Sequence, residues 1–292
     1  MKMGVSMGIV TLITDFGLAD GYVGIMHGVM HSICPNLTVV DLSHQAAPQD
    51  VRGAAYLLYA AYPYFPAGTV HCVVVDPGVG TLRRAIAVET SGRHFVAPDN
   101  GVLSYVLARE HLTAAVSLTN PRYHLRHVSR TFHGRDIFAP VAAHLACGVA
   151  LADLGEPVSQ LVTFPVPGLS VQPGGAMAGQ VIHVDRFGNL ITSIGRLLWH
   201  GDKLSLQPAL LAPGKGAQAS LPPSFVASEV RVYVGSQCIQ GIRPTYGDAT
   251  AGEVLALIGS IGHLEIAVAG GSAAQALGLG VGTEVRLEVA RR

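Results

Sequence analysis

The sequence predicts an α/β N-terminal domain with a mostly parallel sheet, followed by a smaller all-β, barrel-like C-terminal domain. In the first half, apolar strand patterns alternate with helical patterns, which is typical of parallel β-α-β units. In the last third, short alternating or β-branched runs follow one another with few helical stretches. A Pro- and Gly-rich segment separates these two patterns. We therefore expect domains over residues 1–165 and 178–292, joined by a linker over 166–177.

The N-terminal half begins with three apolar strand patterns that alternate with two helical patterns. In chain order, these elements are residues 8–14, 22–33, 37–42, 51–62 and 69–75. Asp50 is a suitable N-cap for the second helix. Parallel pairing with right-handed crossovers brings the carboxyl ends of the strands to one edge, where open α/β sheets bind ligands. We expect Asp15, His44 and Asp76 at this edge.

The remaining elements follow from the same patterns. A hairpin over residues 84–89 and 94–97 precedes a short helix from Val102, and a further helix over 137–146 is capped by Asp136. In the second domain, six runs are predicted as strands: residues 179–184, 190–194, 226–234, 253–258, 264–268 and 284–289.

Composition limits the class of protein. The chain has 292 residues, a formal net charge of zero and no run of Lys or Arg, so a nucleic-acid-binding face is not expected. Only 13% of residues are charged and 49% are hydrophobic. Because soluble domains average about 25% charged residues, we expect part of the surface to be covered by subunit contacts. We expect a cytoplasmic protein, since the N-terminus shows no signal-peptide pattern and no apolar run reaches membrane-spanning length.

The cysteines and histidines give little support to disulfides or metal binding. Four cysteines lie far apart without a Cys-x-x-Cys motif, which predicts buried free thiols in a reducing compartment. They are Cys34, Cys72, Cys147 and Cys238. Histidine pairs occur at residues 27 and 31 and at 124 and 127, but neither pair has a third ligand nearby. A phosphate-binding loop and a dinucleotide fingerprint are both absent, so no metal or cofactor is expected.

The segment around Asp76 is the strongest candidate for chemistry. Three valines, residues 73–75, end at this carboxylate, and Pro-Gly-Val-Gly follows, which predicts a tight loop after a buried strand. Arg83 and Arg84 follow where the loop returns. A carboxylate and a guanidinium on one rim can hold and polarise a water molecule, or they can pair with each other. A simple turn-capping role for Asp76 stays open.

Two further loops carry polar groups that fit a site. His133 lies in residues 132–136 (FHGRD), before a predicted helix, where it can point into a cleft or serve as a structural histidine. Residues 185–189 (DRFGN) follow a strand of the second domain. The Asp and Asn of this loop can bind an amino-acid head group beside the Phe, or they can form an ordinary hairpin turn.

Five motifs, taken together and in order, resemble the S-adenosylmethionine (SAM) hydrolases, also called SAM hydroxide adenosyltransferases, which are related to fluorinase and chlorinase. They are residues 14–17 (TDFG), 76–83 (DPGVGTLR), 132–136 (FHGRD), 185–189 (DRFGN) and 259–267 (GSIGHLEIA). The resemblance spans nearly the whole chain. It implies an α/β domain, a β-barrel domain and a homotrimer with each active site between the N-terminal domain of one subunit and the C-terminal domain of the next.

The resemblance also implies a reaction, in which water displaces methionine from ribose C5′ of SAM and yields adenosine and L-methionine. It implies that Asp76, Arg83 and His133 handle the water, and it leaves open whether Asp76 or His133 takes the proton. The implied substrate-binding residues are Asp15 at the ribose, Gln49 near the nucleoside, Asp185, Phe187, Asn189 and Ser260 at the methionine, and the backbone at Val268 and Gly270 at adenine.

Three other functions compete with hydrolysis as interpretations of these motifs. A SAM-dependent halogenase would use the same substrate, but a buried carboxylate at Asp76 would repel a halide. A non-catalytic adenosine- or SAM-binding protein would need no water-activating set. A metal-dependent hydrolase is disfavoured by the lack of clustered ligands. The sequence therefore favours a metal-independent SAM hydrolase.

Overall fold

The computed structural model describes residues 8–171, 176–207, 210 and 224–289. The chain divides into two compact units, and the boundary lies between Phe164 and Pro165. Each unit has its own buried apolar cluster. The domain and linker limits remain a prediction. Residues 1–7, 172–175, 208–209, 211–223 and 290–292, which fall within those limits, lie outside the described residues.

In the described part of the first unit, residues 8–164, there are seven strands and four α-helices. In chain order they are β1 (Ile9–Thr14), α1 (Tyr22–Ile33), β2 (Thr38–Ser43), α2 (Val51–Ala61), β3 (Val70–Val74), β4 (Ala85–Thr90), β5 (Arg93–Pro98), α3 (Ser104–Arg109), β6 (Ala114–Ser117), α4 (Ala139–Ala146) and β7 (Glu156–Pro157). A π-helical turn over Gly134–Phe138 leads directly into α4. Asp50 caps α2 as predicted, because its carboxylate accepts the backbone N–H of Gly53 at 2.9 Å.

The strands of the first unit form one mixed sheet in the order β2-β1-β3-β5-β4-β6-β7. The four strands β2, β1, β3 and β5 run parallel, whereas β4, β6 and β7 pair antiparallel with their neighbours. This arrangement confirms the predicted mostly parallel sheet. It brings the carboxyl ends of β1, β2 and β3 to the same edge, because neighbouring parallel strands end together.

The core of this unit follows the strand alternation. Val70, Cys72 and Val74 of β3 belong to one buried cluster with Met26 of α1 and Val141 of α4. The intervening residue His71 points to the other face of the sheet, where its ring stacks on Phe95. A fully buried aromatic layer therefore lies on the second face of the sheet.

The prediction of four buried free thiols is wrong for three of the cysteines. Cys34, which ends α1, forms a disulfide with Cys147, which ends α4, and the two residues are 113 positions apart in the sequence. Cys238 is exposed, and only Cys72 is a buried free thiol. The pairing follows from the packing of α1 against α4, which no local sequence pattern records.

The second unit is almost entirely β-structure. Its elements are β8 (Ser170–Val171), β9 (Met177–Val184), β10 (Leu190–Gly195), β11 (Leu197–His200), β12 (Lys203–Leu206), β13 (Phe225–Val226), β14 (Val230–Val234), β15 (Gln237–Gln240), β16 (Val254–Ile258), β17 (His263–Val268), α5 (Ala273–Leu277) and β18 (Glu284–Val289). An antiparallel sheet runs β15-β14-β18-β9-β10-β17-β16, with β8 added to β9, and its edge strands β15 and β16 approach each other. The predicted barrel-like architecture is therefore confirmed.

The structure of this unit differs from the sequence-based expectation in two places. The strand expected over residues 226–234 is interrupted by a 3-10 turn at Ala227–Glu229, which separates β13 from β14. A separate small sheet, β11-β12-β13, was not predicted. Among the helices that the structure describes, none has the length and apolar character needed to cross a membrane.

Candidate active site

The loop after β3 brings Asp76 and Arg83 together. The Nε of Arg83 donates to both carboxylate oxygens of Asp76 at 2.9 Å, and its Nη2 donates to Oδ2. Both side chains are nearly buried, with 10% of Arg83 and 6% of Asp76 exposed. The Arg83 guanidinium also lies 5.2 Å from the centre of the Phe138 ring. Asp76 is thus held by a forked ion pair, as one of the two alternatives for this loop predicted.

Arg83 also contacts His133, so it bridges the two candidate bases. Its Nη2 lies 2.8 Å from Nδ1 of His133, across 50 residues of sequence. A guanidinium has only donors, so Nδ1 accepts this bond and the neutral ring carries its proton on Nε2. Burial and the positive charge of Arg83 lower the pKa of His133. In this arrangement His133 is a neutral hydrogen-bond donor through Nε2.

A close approach of two backbone segments makes this contact possible. Gly80 has a φ of 77°, and a Cβ at this position would lie 2.4 Å from the carbonyl oxygen of Arg130. Only glycine therefore lets the Asp76 loop pack against the segment that leads to His133.

Asp136 anchors the His133 segment, and its predicted role as a helix cap is wrong. It lies inside the π-helical turn and is fully buried. One carboxylate oxygen accepts the Ser129 N–H at 2.8 Å, and the other accepts Nε of Arg135 at 2.6 Å. Because the helical conformation already begins at Gly134, Asp136 lies inside the helix and cannot cap its N-terminus. Its carboxylate instead fixes the loop that precedes the helix.

Asp15 and Gln49 meet at the same strand edge. The Gln49 N–H donates to Oδ2 of Asp15 at 2.8 Å, and Gln49 adopts a φ of 65°, a left-handed conformation that is uncommon for a non-glycine residue. The Gly17 N–H donates to the carbonyl of His44 at 2.8 Å. His44 lies at the edge as predicted but is buried, with Nδ1 2.9 Å from Oγ1 of Thr14. The loops after β1 and β2 are therefore joined around Asp15.

Asp185 and Asn189 form a closed turn between β9 and β10. Asp185 Oδ1 accepts the backbone N–H groups of Phe187 and Asn189, each at 2.9 Å. Asp185 Oδ2 accepts Nδ2 of Asn189 at 2.9 Å. The hairpin turn, one of the two alternatives for this loop, is present, and Phe187 at its tip is 74% exposed. This turn presents a carboxylate, an amide and an exposed aromatic ring within five consecutive residues.

Tyr246 and Glu265 extend this polar group, and neither was among the predicted site residues. Asn189 Nδ2 lies 3.4 Å from the Tyr246 hydroxyl, which donates to Oε2 of Glu265 at 3.2 Å. Burial raises the pKa of Glu265. Burial and the Glu265 carboxylate raise the pKa of Tyr246 to about 12. The position of Glu265 inside the 259–267 motif was the one available sequence signal.

The remaining predicted residues lie at the two ends of β17. Ser260 is exposed in the turn between β16 and β17, next to Gly259, where a Cβ would meet the Glu265 carboxylate at 1.6 Å. Val268 is the buried last residue of β17, and Gly270 follows with a φ of 71°. In the part of the chain that the structure describes, no cluster of three His, Cys, Asp or Glu residues is arranged to hold a metal ion.

Comparisons with known proteins show which family this chain is similar to. Models of the SAM hydroxide adenosyltransferase N-terminal and C-terminal domains match residues 10–155 and 179–286. The (R)-S-adenosyl-L-methionine hydrolase of Salinispora tropica is 42% identical over 284 residues, which cover 95% of this chain and 97% of the relative. A fluorinase of Actinopolyspora mzabensis is 30% identical over 314 residues, covering 98% and 99% of the two chains.

A solved structure extends the likeness to the fold. An uncharacterized conserved protein from Thermotoga maritima superposes with a TM-score of 0.81 at 35% identity, covering 96% of this chain and 99% of that one. The two family models together match most of the chain, each within one unit. The protein therefore belongs to the SAM hydroxide adenosyltransferase family.

Proposed function

We propose that this protein hydrolyses SAM to adenosine and L-methionine, and that Asp76, Arg83 and His133 handle the attacking water. The observation that carries the proposal is the buried bridge that Arg83 makes between Asp76 and His133. The relative from Salinispora tropica, which is 42% identical to this chain, is named (R)-S-adenosyl-L-methionine hydrolase.

The chemistry requires positioning more than acid catalysis. As the oxygen of water bonds to C5′, the C5′–S bond breaks and its electron pair returns to sulfur. The leaving group is the neutral thioether of methionine, so it needs no proton. Holding the water in line with this bond can contribute up to ~7–11 kcal/mol, and removing its proton adds about 10²–10⁴-fold.

Asp76 is the group that we propose takes the proton. Because Arg83 occupies Nδ1 of His133, the remaining ring nitrogen bears hydrogen, so it can donate a hydrogen bond but cannot take a proton from the water. The carboxylate oxygens of Asp76 can accept the proton, and Arg83 holds this carboxylate in a fixed orientation. The water becomes strongly acidic as its oxygen bonds to carbon, so a carboxylate is a sufficient base late in the reaction.

The same residues argue against a halide as nucleophile. A halide would have to lose its hydration beside the nearly buried Asp76 carboxylate, and two like charges in a poorly solvated site repel each other. The fluorinase relative is also less similar, at 30% identity, than the hydrolase relative. Hydrolysis is therefore preferred over halogenation.

The substrate-binding roles are part of the proposal. Asp15 binds the ribose hydroxyls, and Gln49 lies near the nucleoside. Asp185, Asn189 and Ser260 bind the methionine head group, with Phe187 packing beside it, and the backbone at Val268 and Gly270 faces adenine. Two observations support these roles. The Gln49 N–H already fixes one Asp15 oxygen, and Asp185 and Asn189 are rigidly joined.

We further propose that the protein is a homotrimer, as the family resemblance implies, and that it is cytoplasmic, as the absence of a signal-peptide pattern predicts. Sedimentation velocity of the purified protein tests the trimer. Cell fractionation tests the compartment, and thiol labelling of acid-quenched cells reports whether Cys34 and Cys147 are oxidised there. A disulfide that is fully formed in the cell would contradict the predicted reducing environment.

Product analysis tests the reaction. Chelator-treated protein is incubated with SAM, with and without chloride, and the nucleosides are separated by chromatography. Adenosine and methionine in equal amounts, unchanged by chloride, support hydrolysis without a metal. Halogenated deoxyadenosine would identify a halogenase, whereas bound but intact SAM would identify a binding protein. Asp76→Asn keeps the shape but loses the base, so full hydrolytic activity in this variant would withdraw the role of Asp76.

A further inference from the structure

The loop that carries Asp76 and Arg83 is held at both of its ends by one dipeptide, Asp99-Asn100. This dipeptide follows β5, which lies between β3 and β4 in the sheet. The loop leaves from the end of β3 and returns into β4, so both of its ends pass beside Asp99 and Asn100. Neither residue has a role in the proposed reaction so far.

Asn100 holds the first end of the loop. Its Nδ2 donates to the carbonyl oxygen of Val75 at 2.9 Å, and Val75 is bonded directly to Asp76. Its Oδ1 accepts the Val102 N–H at 3.2 Å, which fixes the orientation of the amide. The side chain of Asn100 thus fixes the peptide from which Asp76 projects.

Asp99 holds the second end. Its backbone N–H donates to the carbonyl of Arg84 at 2.9 Å, and its Oδ2 accepts Nε of Arg84 at 2.9 Å. Its Oδ1 accepts the Val162 N–H at 2.8 Å. Asp99 is 5% exposed, so this carboxylate is satisfied from both sides inside the unit. Arg84 directly follows Arg83, and its position sets where the Arg83 side chain starts.

We infer that Asp99 and Asn100 are positioning residues that hold Asp76 and Arg83 in register for attack on the substrate. The inference rests on the proposed function, because it assigns these residues to the same reaction. An Arg–carboxylate fork is directional, so a shift of either loop end separates Arg83 from Asp76 or from His133. A misplacement of 1 Å from residues outside the reacting set can lower the rate by roughly 10²-fold.

The test compares Asn100→Asp with a matched control, Asn120→Asp. Asn100→Asp replaces the donor to Val75 with a carboxylate oxygen and keeps the acceptor for Val102. Asn120 makes the same two kinds of bond elsewhere, from Nδ2 to the Asp153 carbonyl at 2.6 Å and from the Arg122 N–H to Oδ1 at 3.1 Å. The two substitutions therefore match in chemistry and differ in the backbone that they release.

We expect kcat for SAM hydrolysis to fall about 10- to 100-fold in Asn100→Asp, with KM within about threefold of wild type. Asn120→Asp should lower the free energy of unfolding about as much as Asn100→Asp does, but it should keep the wild-type kcat. Asp99→Asn should resemble Asn100→Asp. Arg84→Lys should lower kcat less than Asn100→Asp does. Because the Arg84 side chain is 42% exposed, this variant can replace the buried variants in the test if one of them does not fold.

NMR titration of His133 supplies a readout that does not need turnover. Release of either loop end should weaken the contact between Arg83 and Nδ1, and the titration midpoint of His133 should rise in Asn100→Asp and not in Asn120→Asp. Wild-type kcat with an unchanged His133 titration in the folded variants would overturn the inference, as would an equal loss of kcat in Asn120→Asp. If the wild-type protein released no adenosine, the proposed function would fail, and the titration would still decide whether the loop is held in this way.

Discussion

Replacing Arg83 with Lys separates the charge of this residue from its geometry. The guanidinium contacts both oxygens of Asp76 through Nε and reaches His133 through Nη2 at 2.8 Å. A lysine ammonium keeps the positive charge, but it is a single point donor and cannot reproduce this planar fork. The variant therefore keeps the attraction to Asp76 and loses the bridge to His133.

The expected effect is large on rate and small on binding. Removing one preorganised donor from the site of a developing charge typically lowers kcat by about 10²–10³-fold, or roughly 2.7–4 kcal/mol. We expect Arg83→Lys to fall in this range, with KM changed by only a few fold, because Asp15 and Asp185 are untouched. Arg83→Ala should in addition lower the unfolding free energy by about 3–5 kcal/mol, since it leaves the nearly buried Asp76 carboxylate unpaired.

Adenosine release followed by chromatography gives kcat and KM, and urea unfolding gives stability. Arg243→Lys is the control, because Arg243 pairs with Glu253 at 3.4 Å on an exposed surface and should change neither quantity measurably. If Arg83→Lys kept more than half of the wild-type kcat, or lost activity only through KM, Arg83 would not be acting as an oriented bridge.

Three further predictions concern pH and redox state. Burial and Arg83 lower the pKa of His133, so its ring stays neutral to a pH below its usual 6.5 and activity should fall only when acid protonates it, as a pH–rate profile will measure. Burial lowers the pKa of His71 to about 3, so as the pH falls the imidazole is protonated in the unfolded state before it is protonated in the folded state. The free energy of unfolding should therefore be fully present above pH 6.5 and about 2 kcal/mol lower at pH 5. In urea unfolding, His71→Asn should flatten this dependence on pH. The Cys34–Cys147 disulfide closes a loop with a sequence separation of 113, and chain entropy predicts that Cys147→Ser lowers the unfolding free energy by up to about 4.8 kcal/mol.

The stability and disulfide predictions each have a control variant that should not respond. His31→Asn, at a solvent-exposed histidine, should leave the acid slope of stability unchanged. Cys238→Ser, at the exposed free thiol, should leave stability unchanged. An activity that declined only above pH 6.5 would contradict the neutral His133. An acid slope that survives His71→Asn, or equal urea midpoints before and after reduction, would contradict the other two predictions.

The sequence by itself determined the local elements and the class of fold. The spacing of apolar residues along the chain distinguishes strands from helices. It was therefore possible to predict the strands that end before Asp15 and Asp76 and the helix that Asp50 caps. The same logic placed Asp15 and Asp76 at one edge, because parallel strands end together. The motif at residues 185–189 was also correctly associated with a turn.

Only the tertiary structure decided which of these groups touch. The contact between Arg83 and His133 spans 50 residues, and the disulfide spans 113. The contact between Tyr246 and Glu265 likewise depends on how the 3-10 turn that carries Tyr246 packs against β17. Such contacts arise from packing between elements, which leaves no trace in the local pattern of either partner. For that reason the sequence could name Asp76, Arg83 and His133 but could not give the direction of the hydrogen bond that makes His133 a donor.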